Sequence, residues 1–66
     1  MNITVNGEEK VCEEGISLEM WVLQKGYDKK KIAVERNGNI VPKAEYENCL
    51  LGPADKLEVV TFVGGG

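Results

Sequence analysis

The sequence predicts an α+β fold, in which a small mixed β-sheet has one main helix packed across one face. Short runs of alternating apolar and polar residues are joined by Asn6-Gly7 and by Asn37-Gly38, the pairs that type I′ hairpin turns prefer. Only the segment 17–26 has helical spacing of apolar residues, and the strongest strand pattern, 57–63, comes last. A hairpin alone cannot bury its apolar face, whereas a helix laid across a small sheet can.

The opening segment predicts a β-hairpin. Ile3 and Val5 alternate with polar residues, as in a strand with one buried face. After the Asn6-Gly7 turn, the segment 8–12 returns as the second strand, antiparallel to the first. Gly15 breaks the pattern, and the hairpin is therefore expected to end before it.

The predicted helix begins after Ser17, a typical N-cap residue, and ends before Gly26, a typical C′ residue. Two apolar residues, Met20 and Leu23, lie off the main apolar stripe of this helix. We expect them to pack at its flanks rather than to form an exposed contact surface. The stripe itself, with spacing i, i+3 and i+4, consists of Leu18, Trp21 and Val22.

The segment after the helix predicts a connector and a second, shorter hairpin. Lys29-Lys30-Lys31 is interpreted as a solvated connector, with docking to an acidic partner as the second interpretation. The segment 32–36 is the third strand, and the Asn37-Gly38 turn leads to a short strand at Ile40-Val41. Pro42 ends this fourth strand, because proline lacks the N–H that a sheet needs.

The last quarter of the chain predicts a surface connection, a turn and the final strand. The segment 52–55 has the glycine and proline of a turn, and the strand 57–63 follows it. The connection before the turn, 43–52, is expected to be pinned to the core by Tyr46, Leu50 and Leu51.

These elements fit together when the final strand lies beside the first strand and parallel to it. Both outer hairpins are then antiparallel, and the apolar faces of the central strands lie under the helix. This is the β-grasp (ubiquitin-like) arrangement. We expect a β-grasp domain over residues 1–63 and a flexible Gly-Gly-Gly tail over 64–66.

The alternation of the last strand predicts a docking face on the open side of the sheet. Leu57 and Val59 are expected to point inward, so that their neighbours in the strand point outward. An apolar cluster rimmed by charges, next to the tail, suits partner binding. The alternative is that Phe62 folds over the sheet edge into the core. The predicted docking residues are Ala33, Glu35, Glu58, Val60 and Phe62.

Composition excludes several classes of function. At 66 residues the chain forms one small domain with little room for an internal active site. A net charge of −3 argues against nucleic acid as a partner. There is no apolar run of the roughly 20 residues that a membrane span needs, and no signal-peptide pattern, so we expect a cytoplasmic protein.

Catalysis by the chain itself is not expected either. The chain has no histidine, the usual general base for a nucleophile and a common metal ligand. Cys12 and Cys49 are too few for a disulfide scaffold, and they are expected to be free, partly buried thiols without a metal.

The chain ends in Gly64-Gly65-Gly66 directly after the strongest strand. Glycines bury little surface and leave the backbone free, so this run contributes little to folding. A thin, flexible arm with the α-carboxylate at its tip is able to thread a narrow channel of another protein. The other interpretations are a frayed end and an interaction module whose glycines are idle.

Features spread over the whole chain resemble one family. They are the Asn-Gly opening hairpin, Ile32-Ala33-Val34-Glu35-Arg36-Asn37-Gly38, Val41-Pro42-Lys43, Asp55 before the final strand, and Phe62-Val63-Gly64-Gly65-Gly66. Together they resemble the ThiS family, the sulfur carriers of thiamin biosynthesis. The two terminal glycines are shared with the small subunit of molybdopterin synthase (MoaD) and with ubiquitin-like modifiers. MoaD usually has a longer chain and a proline before its glycines, so length and the middle hairpin favour thiamin.

The resemblance implies a protein-borne sulfur donor rather than an enzyme. An E1-like enzyme of the ThiF type would use ATP to adenylate the Gly66 carboxylate, while the carrier itself binds no cofactor. A persulfide from a cysteine desulfurase would convert the adenylate to a thiocarboxylate. Thiazole synthase (ThiG) would then take up that sulfur. Gly64 and Gly65 would let the arm enter both partner sites.

Two alternatives share the same tail and activation chemistry. One is a sulfur carrier for molybdopterin synthesis, similar to MoaD. The other is a ubiquitin-like modifier in which Gly66 forms isopeptide bonds with lysines.

Overall fold

The computed structural model describes residues 1–62, and within them it confirms the predicted arrangement of a mixed sheet and one α-helix. The sheet order is β2-β1-β5-β3-β4, with β1 and β5 parallel and the other neighbours antiparallel. Val63 and the predicted tail 64–66 lie outside the described residues. The elements are β1 (Asn2–Val5), β2 (Glu8–Val11), α1 (Leu18–Gln24), β3 (Ile32–Arg36), β4 (Asn39–Ile40), β5 (Lys56–Thr61) and 3-10 helices at Lys29–Lys31 and Lys43–Asn48.

Both hairpin turns have the predicted type I′ geometry. The φ angles are 50° at Asn6 and 81° at Gly7, and 51° at Asn37 and 88° at Gly38. The Asn6 side chain also contacts the central strand, since its Oδ1 accepts from the Val59 N–H at 2.8 Å and its Nδ2 donates to the Val59 carbonyl at 3.3 Å. The first turn is therefore fastened to β5 as well as to its own strands.

The helix has the predicted ends and the predicted buried stripe. The Ser17 hydroxyl accepts from the Met20 N–H at 3.1 Å, and Gly26 has a φ of 79°, as its C′ position requires. The prediction that Met20 and Leu23 pack at the flanks is wrong, because they are 47% and 68% exposed. At about 100° per residue they lie on the side of the helix opposite to Leu18.

The connection before β5 reaches the core through two residues rather than the three predicted. Tyr46 and Leu51 are buried, whereas Leu50 is 58% exposed, so the prediction for Leu50 is wrong. The backbone around Leu50 is extended and bridges to Ser17, so successive side chains point to opposite sides. The Lys43–Asn48 helix in this connection has no clear signal in the sequence.

Strand limits differ from the predicted ones by one or two residues. The fourth strand is Asn39–Ile40, although the Val41 N–H still donates to the Val34 carbonyl at 2.9 Å. The second strand ends at Val11, and β5 begins one residue earlier than predicted and ends at Thr61.

The lysine run is only partly the solvated connector that the sequence predicted. Lys30 and Lys31 are exposed, but the Lys29 ammonium lies 2.7 Å from a carboxylate oxygen of Glu19 and 5.2 Å from the ring centroid of Tyr46. Lys29 therefore fastens the connector to the helix and to the buried tyrosine.

Helix α1 lies across the inner face of the sheet and closes a single core there. The largest side chains of this core are those of Trp21 and Tyr46, which are 2% and 0% exposed. The remaining buried apolar side chains are Ile3, Val5, Ile16, Leu18, Val22, Ile32, Val34, Leu51, Leu57 and Val59. One face of the sheet is thus covered and the other is open, which places the candidate site on the open face.

Candidate functional site

The open face of the sheet is set by the side-chain alternation of β3 and β5. Leu57 and Val59 are buried, so Glu58 and Val60 point to the other side of the sheet. In the antiparallel pair of strands, Ala33 lies opposite Val60 and Glu35 lies opposite Glu58. Residues directly opposite each other share a face, and these four side chains therefore form two adjacent rows on the open face.

Phe62 extends the face beyond the end of β5. Its N–H donates to the Lys31 carbonyl at 2.7 Å, which continues the pairing of β5 with the chain before β3. Its side chain is 40% exposed and lies outside the core cluster. Phe62 therefore lies on the open side of the sheet and does not fold over the sheet edge into the core.

The five predicted docking residues lie together on one side of the molecule. Val60 is 51% exposed, and with Phe62 and the methyl group of Ala33 it forms an apolar strip. Ile40, 70% exposed and opposite Glu35, adds an apolar residue that the sequence analysis left out, although the strand alternation around it could have indicated it. A strip of this kind beside two carboxylates suits contact with another protein, and its use in binding stays a prediction.

The predicted reacting group lies outside the described residues. Gly66, with Gly64 and Gly65 before it, follows the last described residue, Phe62, after a single intervening valine. The roles assigned to these three glycines therefore stay predictions.

A buried carboxylate lies just before β5, and sequence reasoning named this residue only as a feature of the resemblance, without its contacts. Asp55 is 8% exposed and its Oδ2 accepts from Arg36 Nε at 3.0 Å and from the Gly52 N–H at 2.8 Å. Arg36 Nη2 lies 2.8 Å from the same oxygen, and Asn37 Nδ2 donates to Oδ1 at 3.0 Å. Asp55 thus ties the turn between β3 and β4 to the start of β5.

The electrostatics of this cluster keep Asp55 ionised. Burial alone raises the pKa of Asp55, but the hydrogen bonds from the Gly52 amide, Asn37 and Arg36 outweigh burial. The pKa of the carboxyl group is therefore below its ordinary value. The hydrogen bond to Asp55 raises the pKa of Arg36 in turn.

The cysteines are free and partly buried, as predicted. The Cys49 sulfur accepts a 3.5 Å hydrogen bond from Arg36 Nη1, at the edge of the Asp55 cluster. Among residues 1–62 no group of three or more cysteine or carboxylate side chains is arranged to hold a metal ion. In the same part of the chain no helix is long and apolar enough to cross a membrane.

The sheet order and the single helix define a β-grasp (ubiquitin-like) domain, and comparison with known proteins identifies the family. The family model described as "ThiS family" matches residues 2–66. The chain belongs to the ThiS family, the small sulfur carriers of thiamin biosynthesis.

Solved structures have the same fold. The crystal structure of a thiamine biosynthesis protein (ThiS) from Geobacter metallireducens superimposes with a TM-score of 0.84 and 26% identity, covering all of both chains. A solution structure of a thiamine biosynthesis protein from the same organism gives a TM-score of 0.82 at 25% identity, covering 88% of that chain.

Curated relatives fall into two groups. A thiazole synthase of Paramagnetospirillum magneticum is 42% identical over 66 residues, which are all of this chain and 20% of the relative. The chain thus spans about a fifth of the length of that protein, and the same holds for the thiazole synthase of Magnetococcus marinus. The uncharacterized protein ycf40 of Pyropia yezoensis is 36% identical, and the match covers 93% of its length.

Proposed function

We propose that this protein carries sulfur as a thiocarboxylate on Gly66 and donates it for thiazole formation in thiamin biosynthesis. The match of the ThiS family over residues 2–66, which includes the three terminal glycines, is the observation on which the proposal depends. The similarity to thiazole synthases supports the thiamin pathway over the MoaD-like alternative. The proposed place of this chemistry is the cytoplasm.

Activation of the carboxylate is the first chemical step. At neutral pH the carboxylate is ionised, since the reference pKa of an α-carboxyl is about 3.5, and it is a poor electrophile. A Gly66 oxygen attacks the α-phosphorus of ATP in the site of a ThiF-type enzyme, and pyrophosphate leaves. The acyl-adenylate that forms has AMP as a good leaving group.

Sulfur transfer follows at the same carbon. The terminal sulfur of a persulfide, generated by a cysteine desulfurase, attacks the carbonyl carbon, and AMP leaves with the electron pair of the broken C–O bond. A thiol then attacks the cysteine sulfur of the resulting acyl disulfide. A new disulfide forms between the thiol and that cysteine, the S–S bond to the acyl sulfur breaks, and the thiocarboxylate leaves with the electron pair. In a ThiG-type synthase the thiocarboxylate sulfur attacks an electrophilic carbon of the acceptor and forms a C–S bond to it. Water then cleaves the acyl–sulfur bond, so that the sulfur stays on the acceptor and the Gly66 carboxylate is regenerated for the next cycle.

In this cycle the chain contributes a reacting carbon, an arm and a docking face, but no acid, base or cofactor. Gly64 and Gly65 allow the arm to pass through a narrow channel because they have no side chains. Val60 and Phe62 supply exposed apolar area next to the arm, and Ala33, Glu35 and Glu58 complete the face.

The intact mass of the protein tests the proposal. The protein is incubated with ATP, a ThiF-type enzyme and a persulfide donor, and the product is mapped by fragmentation. We expect a gain equal to the replacement of one oxygen by sulfur, located on Gly66. A variant with one alanine added after Gly66 is the control, and it should fold normally but gain no sulfur. Sulfur on the extended variant would contradict the tail mechanism.

The modifier alternative gives a different result in the same experiment. Its product is a lasting amide bond between Gly66 and lysines of other proteins, which is seen as high-mass conjugates in the presence of ATP. Such conjugates, lost when Gly66 is deleted, would replace the sulfur-carrier proposal with the modifier.

A further inference from the structure

Within residues 1–62, the end of β5 is held by backbone hydrogen bonds from the β3 side alone. On the β1 side, pairing stops at Leu57, and the Asn6 side chain then bonds to the backbone of Val59. On the β3 side, pairing continues to the end of the strand, and the Phe62 N–H donates to the Lys31 carbonyl at 2.7 Å. In the described part of the chain, this bond is the last one that fixes the backbone before the tail.

The acceptor of this bond is held by the 3-10 helix at Lys29–Lys31. Asp28 caps this helix, since its Oδ1 accepts from the Lys30 N–H at 3.0 Å and its carbonyl accepts from the Lys31 N–H at 2.8 Å. The Lys29 ammonium lies 2.7 Å from the Glu19 carboxylate and thereby fastens the same segment to α1. We call the segment 28–31 the clamp turn, because it fixes the carbonyl that holds the end of β5.

We propose that the clamp turn fixes the point at which the tail leaves the domain and thereby gives the arm a defined length. Asp28 is then a positioning residue for the Gly66 carboxyl group. It acts through the Lys31 carbonyl and the Phe62 backbone, and it does not touch the reacting atoms. This inference rests on the proposed function.

A fixed starting point matters because the arm is short. Four residues follow Phe62, and an extended chain of four residues spans at most about 14 Å. Without the bond to Lys31, the next hydrogen-bonded pair back along the strands is Ala33 and Val60, so that six residues follow the last fixed one. The local concentration of the carboxyl group falls roughly as the −3/2 power of the arm length, which is about twofold between four residues and six.

Amide hydrogen exchange of the protein alone tests the clamp. Asp28→Ala removes the acceptor for the Lys30 N–H, whereas Asp28→Asn loses the same charge but keeps an acceptor oxygen. We expect the Phe62 N–H to exchange about fivefold faster in the alanine variant than in the asparagine variant, as for the loss of a typical cap. The Val59 N–H, bonded to Asn6 on the other edge, is the reference and should exchange equally in both. Equal exchange of Phe62 in the two variants, or faster exchange of Val59 as well, would overturn the clamp.

Activation by the purified ThiF-type enzyme tests the defined length. Phe62→Pro removes the N–H that donates to Lys31, and Phe62→Ala keeps this N–H while it also removes the ring. The kcat of pyrophosphate release is measured at saturating carrier for both variants, each with and without a deletion of Gly64. With the full tail, kcat of the proline variant should be about half that of the alanine variant.

The deletion of Gly64 should affect the two variants differently. In Phe62→Ala it withdraws the carboxyl group by about 3.5 Å and should lower kcat by roughly 100-fold or more. In Phe62→Pro the two residues that are released from the strand make up this length, so the same deletion should lower kcat by less than about tenfold. A deletion that lowers kcat equally in both variants, or in neither, would overturn the positioning role of the clamp turn.

Two further results separate the possible failures. A wild-type protein that releases no pyrophosphate, with an enzyme that adenylates another carrier, would contradict the proposed function. The exchange measurement decides on the clamp even then, because it needs no enzyme. Both Phe62 variants should unfold cooperatively in urea with similar midpoints, which shows that the difference in kcat does not come from an unfolded domain.

Discussion

Replacing Asp55 by alanine should be among the most damaging single changes that leave the core packing intact. The substitution removes a carboxylate that accepts hydrogen bonds from Arg36, Asn37 and the Gly52 amide. Removing one partner of a buried ion pair costs about 3–5 kcal/mol. The Arg36 side chain is 32% exposed and regains water, so we expect about 2–4 kcal/mol here. A domain of this size has about 3–10 kcal/mol in total.

Urea unfolding followed by Trp21 fluorescence measures this loss, with Asp55→Asn as the matched variant. Asparagine keeps the shape and one acceptor oxygen, so its loss should be smaller than that of alanine. The control is Glu47→Ala, at an exposed position of the nearby 3-10 helix. A loss below about 1 kcal/mol for Asp55→Ala would refute the view that this cluster holds β3 to the start of β5.

The same carboxylate gives a pH dependence with a definite sign. The pKa of Asp55 in the folded protein is lower than the unfolded value of about 3.9. Its contribution to the free energy of unfolding is therefore complete above the unfolded pKa and is lost as the pH falls through the folded pKa. Asp55→Asn should flatten the decline of stability below about pH 4. An equally steep decline in that variant would assign the pH dependence to other carboxylates.

Three other substitutions test other parts of the structure. Phe62→Asp should weaken binding to the activating enzyme and change the free energy of unfolding by less than about 1 kcal/mol, because the ring is partly exposed; global unfolding of this variant would show that Phe62 belongs to the core. Gly26→Ala should lower the free energy of unfolding by about 1–2 kcal/mol, because a φ of 79° strains alanine. An unchanged urea midpoint would contradict the role of Gly26 as the C′ residue that ends the helix. Leu23→Gln, on the exposed side of the helix, should stay within about 0.5 kcal/mol of the wild type in the same assay, and a larger loss would mean that Leu23 packs against the domain.

The features that the sequence predicted well are those with local signals. Asn6-Gly7 and Asn37-Gly38 specify their turns through two consecutive positive φ angles, which few other residue pairs tolerate. Ser17 and Gly26 mark the ends of the helix through hydrogen bonding and backbone freedom. Alternation in β5 was enough to predict which side chains are exposed on the open face.

The features that the sequence did not predict depend on contacts between distant segments. Asp55 meets Arg36 from 19 positions away, and nothing in the neighbourhood of either residue indicates the pair. Leu50 and Leu51 are chemically alike, and only the bridge to Ser17 decides which of them is buried. Met20 and Leu23 are apolar, but the narrow sheet covers only one stripe of the helix. Hydrophobicity alone therefore led to the wrong prediction that these two side chains pack against the domain.

The position of β5 in the sheet also determines how the domain bears a mechanical load. β5 has β1 on one side and β3 on the other, so hydrogen bonds hold it along both edges. A partner that grips the chain beyond Phe62 pulls along the axis of this strand. Such a pull loads the backbone hydrogen bonds to both neighbours, whereas a strand at the edge of the sheet has hydrogen bonds to one neighbour alone. The strand that leads into the tail is thus held by two hydrogen-bonded neighbours, whereas the edge strands β2 and β4 have one each.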